Sequence, residues 1–246
     1  MENVTTIALS RMIAQQRALD VTATNIANAS TPGYHGERMV FADWLVREPA
    51  GAEPSGGAML TYTQDRATYR DTRSGPLTHT ANPLDLALTG EGYFTVQTKA
   101  GPRLTRAGHF ELSSTGQVVD SAGNALLDTT GRPLQVATAD TALSVSGDGT
   151  LASENGRIGR IGVVVPDDPQ RLRAEGNRNF LAQTPTKPIT TPGIVQGAVE
   201  DSNIQPTVEL TRMMNDLREF QFTSMLVQSE ADRQQGAIDK LTQKPN

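Results

Sequence analysis

The sequence predicts an α+β protein: two long terminal helices, paired in a coiled-coil-like way, with an antiparallel β-domain, barrel or sandwich, inserted between them. Three observations carry this. Glycine and proline are crowded into the middle of the 246 residues; neither occurs before Pro32, and Gly236 alone falls between Thr207 and Lys244. Stretches free of both breakers favour continuous helix. The C-terminal stretch repeats apolar residues in alternating steps of three and four, and the centre is made of short alternating runs punctuated by turn sequences.

The first helix is expected over residues 1–30. Leu9, Met12, Gln16, Leu19, Ala23 and Ile26 follow the three–four alternation, and Val4, Ile7 and Ile13 broaden the stripe. It ends near Ala29, because Thr31 precedes a proline and Pro32-Gly33 suits the centre of a type II turn. Asn25 and Asn28 are unusual on a helix surface, since Asn prefers caps and turns. They are read as hydrogen-bonding to whatever packs against that last turn, fixing the register between helix end and turn.

Residues 31–81 read as an extended linker and hairpin region, with short strands at Thr61-Tyr62-Thr63 and Ala67-Thr68-Tyr69 and a loose surface loop from Glu48 to Gly57. Residues 82–185 read as the β-rich domain. Leu84 to Leu88 alternates, Gly90-Glu91-Gly92 turns, and Tyr93-Phe94-Thr95-Val96 returns. Leu104-Thr105, Phe110-Glu111-Leu112, Val118-Val119, Leu143-Ser144-Val145 and Thr150-Leu151 repeat the pattern, and Ile158 to Val165 reads as one apolar strand.

Residues 186–203 return the chain to the second helix, expected over 204–246. Its seam runs through Leu210, Met213, Leu217, Phe220, Val227, Ala231, Ile238 and Leu241, interrupted only by Ser224 and Gln234, with Arg212, Asp216, Glu219 and Asp232 on its back. Pro206 suits a first turn, with Asn203 or Thr207 as cap. At ~1.5 Å per residue the helix spans roughly 55 Å, more than a small domain needs, so it calls for a partner: the first helix, then neighbouring subunits.

Chemistry is excluded rather than found. Asp and Glu outnumber Lys and Arg, 27 to 22, the wrong balance for a nucleic-acid-binding face. Cysteine is absent, and His35, His79 and His109 lack ligand-like spacing, so no metal or cofactor is expected. Gly147-Asp148-Gly149-Thr150-Leu151-Ala152 has the form of a dinucleotide fingerprint, but no helix can start at Ser153-Glu154-Asn155-Gly156, so a hairpin turn is expected. Asp167-Asp168 between prolines reads as a solvated loop, and Asn28-Ala29-Ser30, a glycosylation acceptor in form, as a packed helix end. No enzyme is expected. Neither a cleavable secretory signal nor a run of ~20 apolar residues is present, so no membrane insertion is expected.

Four segments, in order along the chain, carry a resemblance. Thr24-Asn25-Ile26-Ala27-Asn28-Ala29-Ser30-Thr31-Pro32-Gly33-Tyr34 resembles the N-terminal signature of flagellar rod and hook proteins, with Thr24 in place of that signature's first Asn. Asn82-Pro83-Leu84-Asp85-Leu86-Ala87-Leu88-Thr89-Gly90-Glu91-Gly92-Tyr93-Phe94 and Thr105-Arg106-Ala107-Gly108-His109-Phe110 are similar to that family's central segments. Gln196-Gly197-Ala198-Val199-Glu200-Asp201-Ser202-Asn203-Ile204 is similar to its C-terminal one. Length sets aside the short rod proteins and the long hook protein. Of the rod members that remain, the compact centre and Thr98 to Arg106 look more like the proximal one than the distal one, and Met213-Met214-Asn215-Asp216 departs from the distal helix.

The resemblance implies a structural subunit of the basal-body rod in the periplasm. Its terminal helices would pair, build the inner tube with neighbouring copies and other rod subunits above and below, and so transmit torque. The β-domain would form the outer layer. It also implies passage through the flagellar export apparatus without cleavage, which a cysteine-free chain suits. Two other readings stay open: a secreted adaptor that does not polymerise, and a carbohydrate-binding β-domain.

Overall fold

The structure, a computed structural model, describes residues 2–47, 59–137 and 140–242; side chains are described except at 2–5, 41–47, 59–67 and 241–242. The loop expected from Glu48 to Gly57 lies outside the described residues. The chain forms two compact units: one of Met1–Ala27, Glu37–Tyr69 and Gln205–Asn246, the other of Asn28–Gly36 and Arg70–Ile204.

The first unit holds helix α1 (Glu2–Ala27), helix α2 (Pro206–Thr242) and a two-stranded ribbon, Glu37–Arg47 paired with Met59–Arg70. The ribbon's second strand is continuous where two short strands were expected. Gln15 Nε2 lies 3.4 Å from Glu219 Oε2, and Asn25 Nδ2 lies 3.5 Å from Glu209 Oε2. Moving toward the start of α1 therefore moves toward the end of α2, and the helices lie antiparallel. At ~1.5 Å rise per residue, the start of α1 falls beside about residue 232, and roughly the last ten residues of α2 run on beyond it.

Within the second unit every strand pairing is antiparallel. The main sheet runs in the order Leu172–Ala174, Asn179–Ala182, Gly101–Thr105, Tyr93–Thr98, Ala125–Leu126, Val118–Asp120, Phe110–Leu112; Val163–Pro166 also pairs Tyr93–Thr98 and carries Thr186–Pro188. Alternation along Tyr93–Thr98 sorts two cores. Phe94 and Val96 join Leu86, Leu88, Phe110 and Leu126 on one face, while Tyr93 joins Leu104, Leu172 and Phe180 on the other. Edge-to-face contacts, Phe94–Phe110 at 5.5 Å and Tyr93–Phe180 at 6.0 Å, sit one in each. Burial pushes the Tyr93 phenol above its ordinary value, against the pull of Arg106.

The strand expected from Ile158 to Val165 is instead two: Gly156–Arg160, in a three-stranded sheet with Ser144–Val145 and Thr150–Ser153, and Val163–Pro166 in the main sheet. The change of sheet occurs at Gly162, whose N–H bonds Leu127 O, and where any Cβ would stand 2.6 Å from Asp128 O. Apolar periodicity continues through such a crossing and so conceals it. The return segment holds two strands, Ile194–Gln196 against Leu86–Leu88 and Ala198–Glu200 against Leu77–His79.

At the three-stranded sheet, Glu154 accepts from Thr141 N and Oγ1, each at 2.9 Å, and from Ala142 N at 3.0 Å. These bonds, Thr141 N–H first, hold its carboxyl down to about 2 from an ordinary 4.5. A carboxylate depressed in the folded state adds stability above its unfolded value and loses it as pH falls toward the folded one. Glu154 should therefore titrate with a midpoint near 2 by NMR. Glu154→Gln should flatten the fall in stability between the two values; a midpoint above 4 would mean the clamp is open in solution.

Candidate functional site

Among its described side chains, α1 buries Ala8, Ala14, Gln15, Thr22 and Asn25. Against them α2 sets Glu209, Met213, Asp216, Phe220, Thr223, Val227 and Glu230, buried or half-buried at steps of four and three. Met213, Phe220 and Val227 of the expected seam belong to this face. Leu210 and Leu217 do not: they are 49% and 39% exposed, and Ala231 and Ile238 are exposed as well. On α1, Leu9 is 55% exposed, and Met12, Leu19 and Ile26 are half-buried, each four residues and so about 40° round the helix from buried Ala8, Gln15 and Thr22. Leu241 lies in α2, with its side chain outside the described residues. The face of α2 packed within one chain is thus a smaller, more polar row than the seam expected from Leu210 to Leu241. The two apolar rows are left largely uncovered, joined by Ile13, Val208, Met214, Phe222, Met225 and Leu226.

Hydrogen bonding explains why polar residues occupy the seam. The Asn25 side chain pairs with both backbone groups of one ribbon residue, Nδ2 donating to Glu37 O at 2.8 Å and Oδ1 accepting from Glu37 N at 3.0 Å. Buried Glu209, in the first turn of α2, accepts from Arg38 at 2.6 Å and from Arg212 at 3.1 Å. Sequence reasoning found Asn25 by its unsuitability for a helix surface; Glu209 and Arg38 it missed, because one acidic residue beside an apolar row looks like part of the solvated back.

In the second unit the remaining motif residues converge. The turn after α1 closes through Tyr34 N to Thr31 O, with Gly33 at φ +70. A Cβ on Gly33 would lie 2.6 Å from the Arg106–Ala107 peptide, so the turn passes directly over the central segment. Thr31 Oγ1 donates to Asn28 Oδ1, bracing the turn locally. Gly33 N donates to Glu200 O at 2.7 Å. The carboxylate of Glu200, 1% exposed, meets His35 Nε2 at 2.9 Å, Gly75 N at 3.0 Å and Arg106 Nη1 at 3.0 Å. Arg106 Nη2 reaches Gly90 O at 2.6 Å, and Gly92 precedes the strand whose Tyr93 ring faces the guanidinium.

Around this centre, Asn203 accepts from Gly36 N and donates to Asp71 O and Arg73 O, so it joins three strands of chain instead of capping α2. Ser202 Oγ accepts from Ile204 N. Gln196 donates to Pro83 O and Leu143 O, and Gly197 N donates to Asp85 O. The Asp85 carboxylate takes Thr80, Asn82 and His109, and Leu84 is buried in the first core. The bonds are reciprocal and internal, which suits a structural joint. Gly147-Asp148-Gly149 forms a hairpin turn between Ser144–Val145 and Thr150–Ser153. No group of three or more metal-ligating side chains occurs among the described residues, and no described helix is long and apolar enough to cross a membrane.

Three family models match the chain: flagella basal body rod protein over residues 6–35, flagellar hook protein FlgE/F/G D1 domain over 87–153, and flagellar basal body rod FlgEFG protein C-terminal over 195–239. The flagellar basal-body rod protein FlgF of Caulobacter vibrioides is 33% identical over 98% of each chain. The chain belongs to the flagellar rod and hook family. It is FlgF-like within that family, since FlgF of Mesorhizobium japonicum is also 31% identical over 97% of each chain, while FlgG of Caulobacter vibrioides is 30% identical over 95% of this chain and 97% of its own. The buried cluster takes one residue from each family segment: His35 from the first, Arg106 from the second and Glu200 from the third. Three flagellar rod segments far apart in sequence are thus tied at one carboxylate.

Proposed function

We propose that this chain is a structural subunit of the bacterial flagellar basal-body rod, of the proximal, FlgF-like kind, which polymerises through its terminal helices and transmits torque. The observation that carries the reading is the helix pair itself. Its seam is polar and narrow, while large apolar side chains on both helices stay uncovered, in a chain whose relatives are named basal-body rod proteins. An apolar surface of that kind marks a protein-interaction face. On this reading α1 and α2, with the ribbon strands Glu37–Arg47 and Met59–Arg70, form the assembling, coiled-coil-like unit, and the antiparallel sheets close as a barrel or sandwich. Partners are further copies, other rod subunits above and below, and the export apparatus that delivers the chain, uncleaved, to the periplasm. The role is mechanical and not enzymatic. A distal, FlgG-like position is the second reading, favoured by the 30% identity to a FlgG.

Leu217→Asp tests it. Leu217 flanks the seam and is 39% exposed, so the change should shift monomer stability by less than about 1 kcal/mol. In the assembly it would bury a carboxylate against apolar neighbours, and its incorporation into isolated basal bodies should be lost. Normal incorporation would refute the interface.

A further inference from the structure

The first unit contains a groove of about 350 Å³ between α1, α2 and the ribbon, with Ala18, Val21, Met39 and Tyr69 among its lining and Asp216 at its α2 wall. Two carboxylates of α2 line or border it, and they are treated differently. Glu209 holds both nearby guanidinium groups, those of Arg38 and Arg212. Asp216 has no hydrogen bond or ion pair among the described residues. Burial, then the negative charges of Glu219 and Glu209, push its carboxyl above the ordinary range. A half-buried carboxylate in a groove of mixed polar and apolar lining, where Arg38 and Arg212 are the lining cations and both are committed to Glu209, matches a guanidinium arriving from outside.

The same helix presents such a group. Met214, Arg218, Phe222 and Met225 share the outer side of α2 at the i, i+4, i+8, i+11 spacing of one helix face. The three apolar members are 54%, 68% and 64% exposed. Arg218 is exposed and makes no ion pair among the described residues. At 100° per residue, Asp216 and Arg218 point about 200° apart, so no chain can fill its own groove with its own strip. We propose that the Met214–Arg218–Phe222–Met225 strip of one copy seats in the groove of a second copy, with the Arg218 guanidinium on the Asp216 carboxylate. Strip and groove are different surfaces, so the contact is heterologous and leaves a free strip at one end and a free groove at the other, the condition for open-ended growth. The inference rests on the rod reading and adds to it a specific occupant and a specific ion pair.

The chain has no cysteine, so introduced thiols report alone. A doubly substituted chain, Asp216→Cys with Arg218→Cys, cannot bridge internally because positions two apart on a helix do not face each other. Produced in place of the unaltered chain and oxidised mildly in isolated basal bodies, it should give a ladder of dimers, trimers and higher species of this chain on a non-reducing gel. Each single variant should stay monomeric. In parallel, Asp216→Arg and Arg218→Asp should each lower incorporation by about tenfold or more, and the two together should restore it to within about twofold, because reversal on both sides recreates the pair. Normal incorporation of the cysteine chain with no ladder overturns this contact and leaves the rod reading intact. A cross-link solely to a protein of different mass overturns a second copy as the occupant. Absence of the unaltered chain from basal bodies overturns the rod reading and this inference together.

Discussion

Glu200→Ala should destabilise the β-containing unit by about 3–5 kcal/mol, because it strands a buried cation instead of removing an interaction. Arg106 is 3% exposed and His35 is equally enclosed, and among the described residues Glu200 is the one carboxylate that meets both. Gly75 N would lose its acceptor as well. Water cannot replace these bonds without opening the turn at Gly33, whose N–H is held by the Glu200 carbonyl. Glu200→Gln keeps an acceptor oxygen while losing the charge, so it should cost visibly less. A chain carrying Glu200→Met with Arg106→Met should be far more stable than the sum of the two single changes, since removing both partners leaves no orphan charge. The measurement is urea unfolding followed by circular dichroism, comparing midpoints at equal slope. A loss below about 1 kcal/mol for Glu200→Ala would mean the cluster is open to solvent.

That cluster marks where sequence reading stops. Glu200 and Gly33 stand out by their motifs, but a motif does not say what a residue touches; the joining of residues 35, 106 and 200 depends on return strands that the sequence signals weakly. Ile194–Gln196 and Ala198–Glu200 are three residues each, too short for alternation to declare them. The helices are the opposite case. Their existence and extent follow from the absence of breakers, because helix continuity is a local property. Which face packs does not follow. Steps of three and four fit two adjacent rows of α2 equally well, one through Leu210, Leu217 and Ala231, the other through Glu209, Asp216 and Glu230; both share Met213, Phe220 and Val227. Hydropathy selects the apolar row. Within the chain the polar row is packed, and its first member, Glu209, takes hydrogen bonds from Asn25, Arg38 and Arg212. The apolar row stays on the surface, where a single chain offers it no partner. A rule built for monomer cores thus picks out the row proposed above as the assembly surface.

Gly108→Ala should be at least as damaging as loss of Glu200. The ideal Cβ at this position would lie 1.6 Å from Leu86 O and 2.8 Å from Leu86 C. That obstacle is main chain, which no rotamer change can move aside. Relief requires separating the segment at 108–110 from the one at 84–86, and these are joined by Leu86 N to Gly108 O at 2.8 Å and Phe110 N to Leu84 O at 3.2 Å. Each lost bond costs about 1 kcal/mol or more once its groups stay buried, and overpacking adds about 1–3 kcal/mol. Leu86 and Phe110 are both about 1% exposed and belong to the same core as Phe94, so the displacement would also open that core. The expected total, above about 4 kcal/mol, is comparable to the whole stability of many domains. The variant should therefore be recovered largely unfolded or degraded, with far-UV circular dichroism lacking its β component while the α2 helical signal persists or frays. A Gly108→Ala chain that melts cooperatively within a few degrees of the unaltered one would show that the two segments can separate by more than an ångström at little cost, and that the close approach at Gly108 does not fix the junction.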